Sequence, residues 1–459
     1  MMRRELMLCV VGLVGLLMGS GLSASEPAPP SPERGWELLR NRAYLPPDFD
    51  QSDYDGLWSL WPDAERAAAE KLPLDERRKA IADYYGLVVD PDAPAGEFRL
   101  LGYVSTPQGF AMNCLACHGG MLEGEAVPGL GNNRTALQSL TEDVRLAKLL
   151  KLKSLGHLDK AIIKVPLNKT NGTTNSVIFG VILGALRNPD MSVDRSRPIP
   201  KLLHHDMDAP PFWRLAKKSR LYADGFAPKN HRTIMQFMML PDHGRDVFTG
   251  WEDDFRQILA WMESVKPPKY PRPIDGPLAS QGRIVFERHC AECHGTYGDE
   301  GRYPEKVIPI DIVGTDVARL KSLSPQHREW MKLGWMSHFG ADRVDLDPGG
   351  YVAPPLDGIW ATAPFLHNGS VPTLEHLLDS KTRPKVWRAE ESAGSTTYDH
   401  DKVGLSIKTF DAVPDSAAGH ERRWYFDTSL FGKSNAGHTF GDALEPAERR
   451  AVIEYLKSL

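Results

Sequence analysis

Apolar residues recur at helical spacing along most of the chain, and this pattern predicts a mainly α-helical protein. Three short helices are predicted near the start, over Trp36–Asn41, Asp53–Ala69 and Pro73–Tyr85. Leu57, Leu60 and Trp61 share one face of the second helix, which Pro62 interrupts. Helices of this length cannot form a core alone. We therefore expect residues 35–94 to be an N-terminal helical extension that packs on a larger domain.

Longer amphipathic helices are predicted further along, over Leu140–Leu155, Trp251–Val265, Leu278–His289 and Glu445–Leu459. The first of them is rich in Leu and Lys. We interpret its lysines and Arg145 as a solvated face, and docking of an acidic redox partner is the alternative. The last helix has Pro446 near its start. Its apolar stripe comprises Val452, Ile453, Leu456 and Leu459.

Residues 1–24 have the pattern of a removable signal peptide. Arg3 and Arg4 form a basic start, Leu6–Met18 is apolar, and mostly small residues follow up to Ser25. The apolar run is shorter than the roughly 20 residues that a membrane-spanning helix needs. We therefore expect an exported protein, periplasmic or extracellular, with no membrane span in its mature form.

The composition narrows the class of protein. Of 459 residues, 41% are hydrophobic and 25% are charged, which is ordinary for a globular protein. The net charge of −5 gives no reason to expect nucleic acid as a partner. Of five cysteines, Cys9 lies in the leader and the other four fall in two motifs of one pattern. No cysteine is left for a disulfide bond, so the core and the groups held by these motifs must stabilise the fold.

The two motifs are Cys114-Leu115-Ala116-Cys117-His118 and Cys290-Ala291-Glu292-Cys293-His294. C-x-x-C-H is the attachment pattern of c-type haem, in which both thiols bond the porphyrin and the histidine ligates the iron. A C-x-x-C pair alone could be a redox dithiol or half of a zinc site. The adjacent histidine in both copies favours haem. We predict two covalently bound haem c groups, with His118 and His294 as the proximal iron ligands.

The two motifs also indicate the domain organisation. In a cytochrome c domain, an N-terminal helix leads into C-x-x-C-H and a C-terminal helix crosses it. We predict this arrangement twice, in a first haem domain over residues 95–271 and a second over 274–459. The second has a long insertion at about 380–430, and residues 25–34 form a proline-rich linker. Gly129–Asn132 is predicted to turn the chain behind the first motif.

The sixth iron ligand of the second haem decides between electron transfer and catalysis. The candidates in the sequence are Met331, Met336, His338, His367 and His438. No methionine follows Met336, so a late methionine ligand is excluded. We favour His438, because small residues precede it and Phe440 can shield its imidazole. A surface loop histidine is the alternative interpretation of this residue.

The first haem has fewer candidates for a sixth ligand. No histidine lies between His118 and His157, and the first methionine after the motif is Met121. A later group has helical spacing and is more typical of core packing; it comprises Met235, Met238 and Met239. We therefore expect the first haem to have an open or easily vacated sixth position.

Residues 353–370 read Ala-Pro-Pro-Leu-Asp-Gly-Ile-Trp-Ala-Thr-Ala-Pro-Phe-Leu-His-Asn-Gly-Ser. This stretch resembles a signature of the bacterial di-haem cytochrome c peroxidase superfamily, in particular its rubber oxygenase branch. Members of that branch carry two haems and cleave polyisoprene with dioxygen. Ser434–Phe440 is similar to the same branch, and the likeness implies that His438 is the distal ligand of the second haem.

Pro211-Phe212-Trp213 also resembles a segment of that branch, where aromatic residues lie close to the N-terminal haem. The resemblance implies that Phe212 is a wall of the distal pocket and that Trp213 conducts electrons between the haems. Phe226 is a weaker candidate for the pocket. Plain core packing is the alternative for all three rings.

The sequence departs from the peroxidase branch of this superfamily in two places. That branch carries a displaceable histidine soon after the first C-x-x-C-H and a methionine shortly after its His-Asn-Gly-Ser-like motif. Neither residue is present here. These departures argue against a peroxidase that is activated by reduction and loss of a histidine ligand.

A histidine and a group of aspartates give weaker evidence of a functional role. The resemblance implies that His367 hydrogen-bonds a haem propionate or a neighbouring loop, and a purely structural role is the alternative. Asp342, Asp345 and Asp347 could bind calcium, but their spacing does not complete a known calcium loop. A polar turn is the better interpretation of these aspartates.

These patterns together predict an exported di-haem c-type oxidoreductase. Its first haem is expected to bind dioxygen or peroxide and act on an unidentified substrate, with dioxygenase-like chemistry ahead of peroxide reduction. Its second haem is expected to transfer electrons through Trp213, and a small redox protein is a candidate partner. The alternatives are a di-haem cytochrome c peroxidase and a non-catalytic electron carrier.

Overall fold

The structure is a computed structural model that describes residues 29–198, 203–392 and 394–459. Helices account for 42% of the residues and strands for 13%, so the prediction of a mainly α class is confirmed. The predicted signal peptide lies outside the described residues. Within those three ranges, no helix combines the length and the apolar character needed to cross a membrane.

The first half of the chain is built from short helices around one long one. Its α-helices are Pro32–Asn41, Gln51–Gly56, Asp63–Glu70, Leu74–Tyr84, Leu115–His118, Leu137–Leu150, His157–Ala161, Ser176–Ala185, His231–Ile234 and Arg245–Ser264. Its 3-10 helices are Leu57–Leu60, Phe212–Lys217 and Met235–Met238. The break predicted at Pro62 is confirmed, because one helix ends before this proline and the next begins after it.

The second half has two longer helices at its ends and short ones between them. Its α-helices are Gly276–His289, Ala291–His294, Ile310–Val313, Ala318–Ser322, Pro325–Lys332, Leu374–Leu378, Gly419–Arg422 and Pro446–Leu456. Its 3-10 helices are Trp335–Gly340, Ile359–Ala361, Ser380–Thr382 and Phe440–Ala443.

The strands form small antiparallel sheets. In the first half the pairs are Tyr103–Thr106 with Gly109–Met112, Gly119–Leu122 with Glu125–Pro128, Thr173–Thr174 with Met207–Asp208, and Arg220–Leu221 with Ala227–Pro228. In the second half they are Val307–Pro309 with Gly350–Val352, Glu391–Ser392 with Ser395–Thr396, and Tyr398–Asp399 with Gly404–Leu405. Val386–Ala389 is the centre of a three-stranded sheet with Ile407–Phe410 and Phe426–Asp427, within the predicted insertion.

The first helix, Pro32–Asn41, begins inside the segment predicted as a proline-rich linker. Ser31 caps it, and a proline at the first helical position suits a helix start. The helix packs on Arg245–Ser264, with Trp36 stacked on Trp261 at a ring-centroid distance of 4.9 Å. The predicted boundary between the N-terminal extension and the first haem domain therefore separates two helices that pack together.

Helices Gly276–His289 and Pro446–Leu456 cross at the ends of the second half, near their predicted positions. Gly282 lies at the crossing, where a Cβ atom would sit 1.8 Å from the carbonyl oxygen of Ala451. Only glycine allows backbones to approach this closely. In the first half, by contrast, the hairpin Tyr103–Met112 leads into the C-x-x-C-H motif, where we predicted a helix.

The helix rich in Leu and Lys spans Leu137–Leu150 and ends before its predicted limit. The prediction that its lysines form a solvated face is wrong for Lys148, which is buried and donates to Asp159 at 2.6 Å. Lys153, just beyond the helix, donates to Asp53 at 2.7 Å. These lysines bind acids of their own chain, so they do not form an open basic surface.

Candidate functional site

The first C-x-x-C-H turn is fixed by hydrogen bonds to the chain around it. Asn113 Oδ1 accepts from the Leu115 N–H at 2.8 Å, and its Nδ2 donates to the carbonyl of Leu39 at 3.1 Å. The Asn132 N–H donates to the Cys117 carbonyl at 2.8 Å. The turn is therefore bonded to the first helix on one side and to the Gly129–Asn132 segment on the other, as predicted for that segment.

The second C-x-x-C-H turn continues directly from the helix Gly276–His289. Gly295 ends the turn with φ +81°, and a Cβ atom there would lie 2.2 Å from the carbonyl oxygen of Arg302. The Tyr297 hydroxyl donates to the His294 carbonyl at 3.1 Å. The chain reversal after His294 thus depends on a left-handed glycine and one aromatic hydroxyl.

Both motif histidines are oriented by proline carbonyls. His118 Nδ1 lies 2.9 Å from the carbonyl oxygen of Pro210, and His294 Nδ1 lies 2.8 Å from that of Pro354. A carbonyl can only accept, so Nδ1 carries the proton in each ring and Nε2 keeps its lone pair. Burial also lowers the pKa of His118 to about 4 and lowers that of His294. Both rings are neutral and expose a nitrogen suited to bind a metal ion.

These carbonyls belong to a repeat that our sequence reasoning missed. The acceptors lie in Ala209-Pro210-Pro211 and Ala353-Pro354-Pro355, two copies of Ala-Pro-Pro. Each copy follows its C-x-x-C-H motif along the chain and meets the histidine of that motif. A search for tripeptides shared by the two halves would have found them. Their hydrogen bonds span 92 and 60 residues, so local spacing gives no sign of the contact.

His294 and His438 face each other. Their ring centroids are 6.1 Å apart and the ring planes are inclined by 60°. Two imidazoles that bind one metal ion from opposite sides, with bonds of about 2 Å, have centroids about 6 Å apart. Burial lowers the pKa of His438 to about 4, so this ring is neutral as well. The pair has the separation that two axial ligands of one iron require.

Close backbone contacts fix the loop that carries His438. The His438 N–H donates to the Val313 carbonyl at 2.7 Å, and its backbone has φ +46°. Gly437 has φ +76°, and a Cβ atom there would lie 2.2 Å from the carbonyl carbon of Gly314. Arg383 donates to the carbonyls of Gly437 at 2.7 Å and His438 at 3.1 Å. The loop is thus held by a helix end on one side and by the partly buried Arg383 guanidinium on the other.

His118 has a different neighbour. The ring of Phe212 stacks on it with centroids 4.3 Å apart and planes inclined by 24°. Among the described residues, no histidine ring pairs with His118 as His438 pairs with His294. The resemblance implied that Phe212 is a wall of the distal pocket. The structure brings it against the predicted proximal ligand, and the distal role stays a prediction.

Trp213 and Phe226 are both buried, in different surroundings. The Trp213 Nε1–H donates to the carbonyl of Asp357 at 2.8 Å, three residues after Pro354. It therefore connects the segment that contacts His118 with the segment that contacts His294. Phe226 stacks on Tyr222, with centroids 4.9 Å apart, in the hydrophobic core that also contains Phe212.

His367 stacks on Tyr351, with ring centroids 4.2 Å apart. Burial lowers its pKa to about 3, and the nearby Arg319 guanidinium acts in the same direction. Of the other candidate ligands, Met331 and Met336 are fully buried in the first core. His338 Nδ1 lies 2.6 Å from the Asp342 carboxylate. This aspartate, one of three considered for calcium, is therefore engaged with a side chain of the protein.

The described residues fit a covalently attached haem. All four motif cysteines are free thiols, and burial raises the pKa of Cys114 to about 12 and that of Cys290 to about 11. Each thiol pair is followed by a neutral histidine with an available Nε2. His438 supplies a second imidazole at the separation that one iron requires. Outside these motifs, no cluster of three or more His, Cys, Asp or Glu side chains in the described ranges suits a metal ion.

The comparison with protein families agrees with this chemistry. A family model described as "RoxA-like, cytochrome c-like" matches residues 350–388. The match begins at the strand before Pro354 and includes Trp360 and His367. A cytochrome c-like domain implies covalently bound haem c with its iron. This part of the chain is therefore similar to a cytochrome c-like domain.

Curated relatives extend the similarity without adding a function. The chain is 30% identical over 266 residues to the uncharacterized protein y4iJ of Sinorhizobium fredii (strain NBRC 101917 / NGR234), covering 42% of this chain and 41% of that protein. It is 28% identical over 243 residues to the uncharacterized protein y4iM of the same strain, covering 44% of this chain and 53% of that protein. The match thus spans about half or less of these relatives.

Proposed function

We propose that this protein is an exported di-haem c-type oxidoreductase, in which the haem at Cys114 and Cys117 binds dioxygen or peroxide and the haem at Cys290 and Cys293 transfers electrons. The observation that carries this proposal is the difference between the two histidines. His294 faces a second imidazole at 6.1 Å, whereas the ring stacked on His118 is that of Phe212. A haem with a vacant sixth position offers a place for dioxygen or peroxide, and a haem with two strong ligands stores and releases electrons.

The protein's own residues have separate tasks in this proposal. The Pro210 and Pro354 carbonyls hold the Nδ1 protons, so that each Nε2 is left free and would bind an iron. Arg383 and the Val313 carbonyl keep His438 in place as the sixth ligand of the second haem. Phe212 limits rotation of the His118 ring and keeps water from it. Trp213 links the two sites through its bond to Asp357.

The reaction class is inferred from the resemblance and the family match. The "RoxA-like, cytochrome c-like" match supports the likeness to the rubber oxygenase branch. The two departures from the peroxidase branch favour oxidative cleavage of an apolar or unsaturated substrate over peroxide reduction. The substrate itself is decided by the loops around the first haem rather than by the fold.

The deciding experiment is an optical titration of the purified protein with carbon monoxide after reduction by dithionite. We expect about half of the haem signal to shift, because carbon monoxide binds iron with a free sixth position. A shift of the whole signal would contradict the bis-histidine site. An unchanged spectrum would contradict the open site and make the protein an electron carrier.

The assignment of His438 has its own test. His438→Ala removes one of two strong ligands, so we expect the second haem to change from low-spin to high-spin and to bind carbon monoxide. His289→Ala is the matched control, because this histidine is exposed and lies beside the same motif. An optical spectrum of His438→Ala identical to that of the unaltered protein would mean that another residue is the ligand.

A further inference from the structure

A buried charge cluster lies where the two halves of the chain meet. Arg319 and Arg328 each donate from Nη2 to the Asp224 carboxylate, at 3.1 and 3.0 Å. The three side chains are 0%, 1% and 0% exposed, in that order. Arginine stays protonated in proteins, so two positive charges face one negative charge. An excess buried charge is costly unless another group neutralises it.

The two arginines differ in how completely they are bonded. Arg328 Nη1 also donates to the carbonyls of Leu323 at 2.6 Å and Leu346 at 3.0 Å. In Arg319, both Nε and Nη1 are buried and have no hydrogen-bond partner among the described residues, whereas in Arg328 this is true of Nε alone. The cluster thus has an excess positive charge, and Arg319 has more unused donors than Arg328.

The surroundings of Arg319 suit a carboxylate. The guanidinium lies over the rings of Tyr222 and Phe226, 5.6 and 5.5 Å from their centroids. These ring faces attract the cation but cannot accept its N–H groups as a carboxylate does. The Tyr222 hydroxyl is also buried without a partner in the described part of the chain. It is a further donor beside the same cation.

Arg319 is connected to the loop that carries His438. Its helix, Ala318–Ser322, follows Val313 and Asp316 along the chain. The Val313 carbonyl accepts from the His438 N–H, and the Asp316 carboxylate accepts from the Ser434 N–H at 3.2 Å. The Asp316 carbonyl also accepts from the Tyr351 hydroxyl at 2.7 Å. The segment that leads into Arg319 is therefore bonded to the loop of His438 on one side and, through Tyr351, to the strand before Pro354 on the other.

We infer that Arg319 binds a propionate carboxylate of the haem at Cys290 and Cys293, with the Tyr222 hydroxyl as a second donor. The inference rests on the proposed function, because it requires a haem at that motif. One propionate balances the cluster at two positive and two negative charges. Since Asp224 lies in the first half of the chain, the same cluster couples that half to the second haem.

The test uses the full-length protein with both haems and reads the propionate directly. We expect Arg319→Gln to shift the propionate bending band of the low-spin haem in the resonance Raman spectrum. It should also lower the midpoint potential of that haem, because removing a cation favours the ferric state. Arg319→Lys keeps the charge and should restore most of the potential.

Arg328→Gln is the matched control, because it removes an equal charge from the same carboxylate. It should leave the propionate band in place, since Arg328 has backbone acceptors of its own. An unshifted band in Arg319→Gln, or equal shifts in both variants, would overturn the inference. Acetate added to the unaltered protein gives a further check. If acetate changes the midpoint potential and leaves the propionate band in place, Arg319 binds a dissolved anion instead, and the inference is overturned.

A measurement without substitutions covers the case in which the variants do not fold. The propionate band of the unaltered protein should shift between H2O and D2O, because N–H and O–H donors exchange their protons. A band that does not move would contradict the inference. Haem counting by mass distinguishes the two failures, since one haem contradicts the proposed function, whereas two haems with an unmoved band contradict only the role of Arg319.

Discussion

Asp48 is a buried acid whose effect on stability depends on pH. Its two carboxylate oxygens are buried and have no hydrogen-bond partner among the described residues. The nearby Lys148 ammonium donates to the Asp48 backbone carbonyl and to the Asp159 carboxylate instead. Burial raises the pKa of Asp48 to about 8, against the opposing attraction of Lys148.

We predict that Asp48→Asn stabilises the protein at neutral pH. Below pH 3.8 the carboxyl is protonated in both the folded and the unfolded chain, so it contributes no pH dependence. Between pH 3.8 and about 8 the unfolded chain releases its proton and the folded chain keeps it, which progressively destabilises the fold. The gain in unfolding free energy at pH 7 should be on the order of 2–4 kcal/mol.

Thermal unfolding from pH 4 to pH 9 checks this prediction. The difference in Tm between Asp48→Asn and the unaltered protein should grow with pH and level off above pH 8. Asp63→Asn is the control, because that carboxylate is exposed at a helix start. A difference independent of pH would show that Asp48 is already ionised in the folded protein.

At the scale of secondary-structure elements, the second half depends on the crossing of its first and last helices. We predict that Gly282→Ala destabilises the fold by about 2–3 kcal/mol, because the new methyl group meets the Ala451 carbonyl. Gly276→Ala is the matched control in the same helix, since its added methyl meets no atom within 4 Å. It should change stability by no more than about 0.5 kcal/mol.

Chemical denaturation of both variants measures these free energies. Equal stabilities would mean that the two helices can separate at the crossing without loss of packing. A loss confined to Gly282→Ala, with the same dependence on denaturant concentration, would confirm the close backbone contact as its cause.

The helices were the most predictable part of the fold, because apolar periodicity is a local property. The helix predicted over Leu278–His289 follows from it directly, and the break at Pro62 follows from the proline itself. Two features required tertiary information. Lys148 is buried because Asp159 lies beside it. The first motif follows a hairpin rather than a helix, because backbone hydrogen bonds join Phe110 in the hairpin to the distant residues Asp48 and Phe49.

At the scale of the whole molecule, Trp213 connects the segment that contacts His118 with the segment that contacts His294. We predict that Trp213→Phe slows electron transfer between the haems, because the indole and its hydrogen bond to Asp357 are lost. The lost bond should also cost about 1 kcal/mol of stability. The rate can be followed in half-reduced protein after carbon monoxide is released from the first haem by light.

Trp261→Phe is the control for this experiment. Trp261 meets the edge of Phe212, with centroids 5.9 Å apart, but stacks on Trp36 in the first helix pair. Trp261→Phe should leave the rate of electron transfer between the haems unchanged. Equal slowing in both variants would point to a general loosening of the core around Phe212 and would remove the specific role of Trp213.

The candidate site was only partly predictable from the sequence. The C-x-x-C-H residues follow from a local motif, and the structure brings His438 to the separation expected of an axial ligand. The Pro210 and Pro354 carbonyls could not be derived from side-chain chemistry, because backbone acceptors have no signal of their own. Arg319 was equally hidden, since its unused donors become visible only when every neighbouring acceptor has been counted.

The Ala-Pro-Pro segments have a consequence for the entropy of the unfolded chain. Each proline restricts the backbone before folding as well as after it, so the chain loses less freedom when the acceptor carbonyl is fixed in place. A carbonyl followed by proline also has no N–H next to it that could draw the segment into a sheet. Each motif histidine is thus oriented by a backbone segment whose conformation was already restricted before folding.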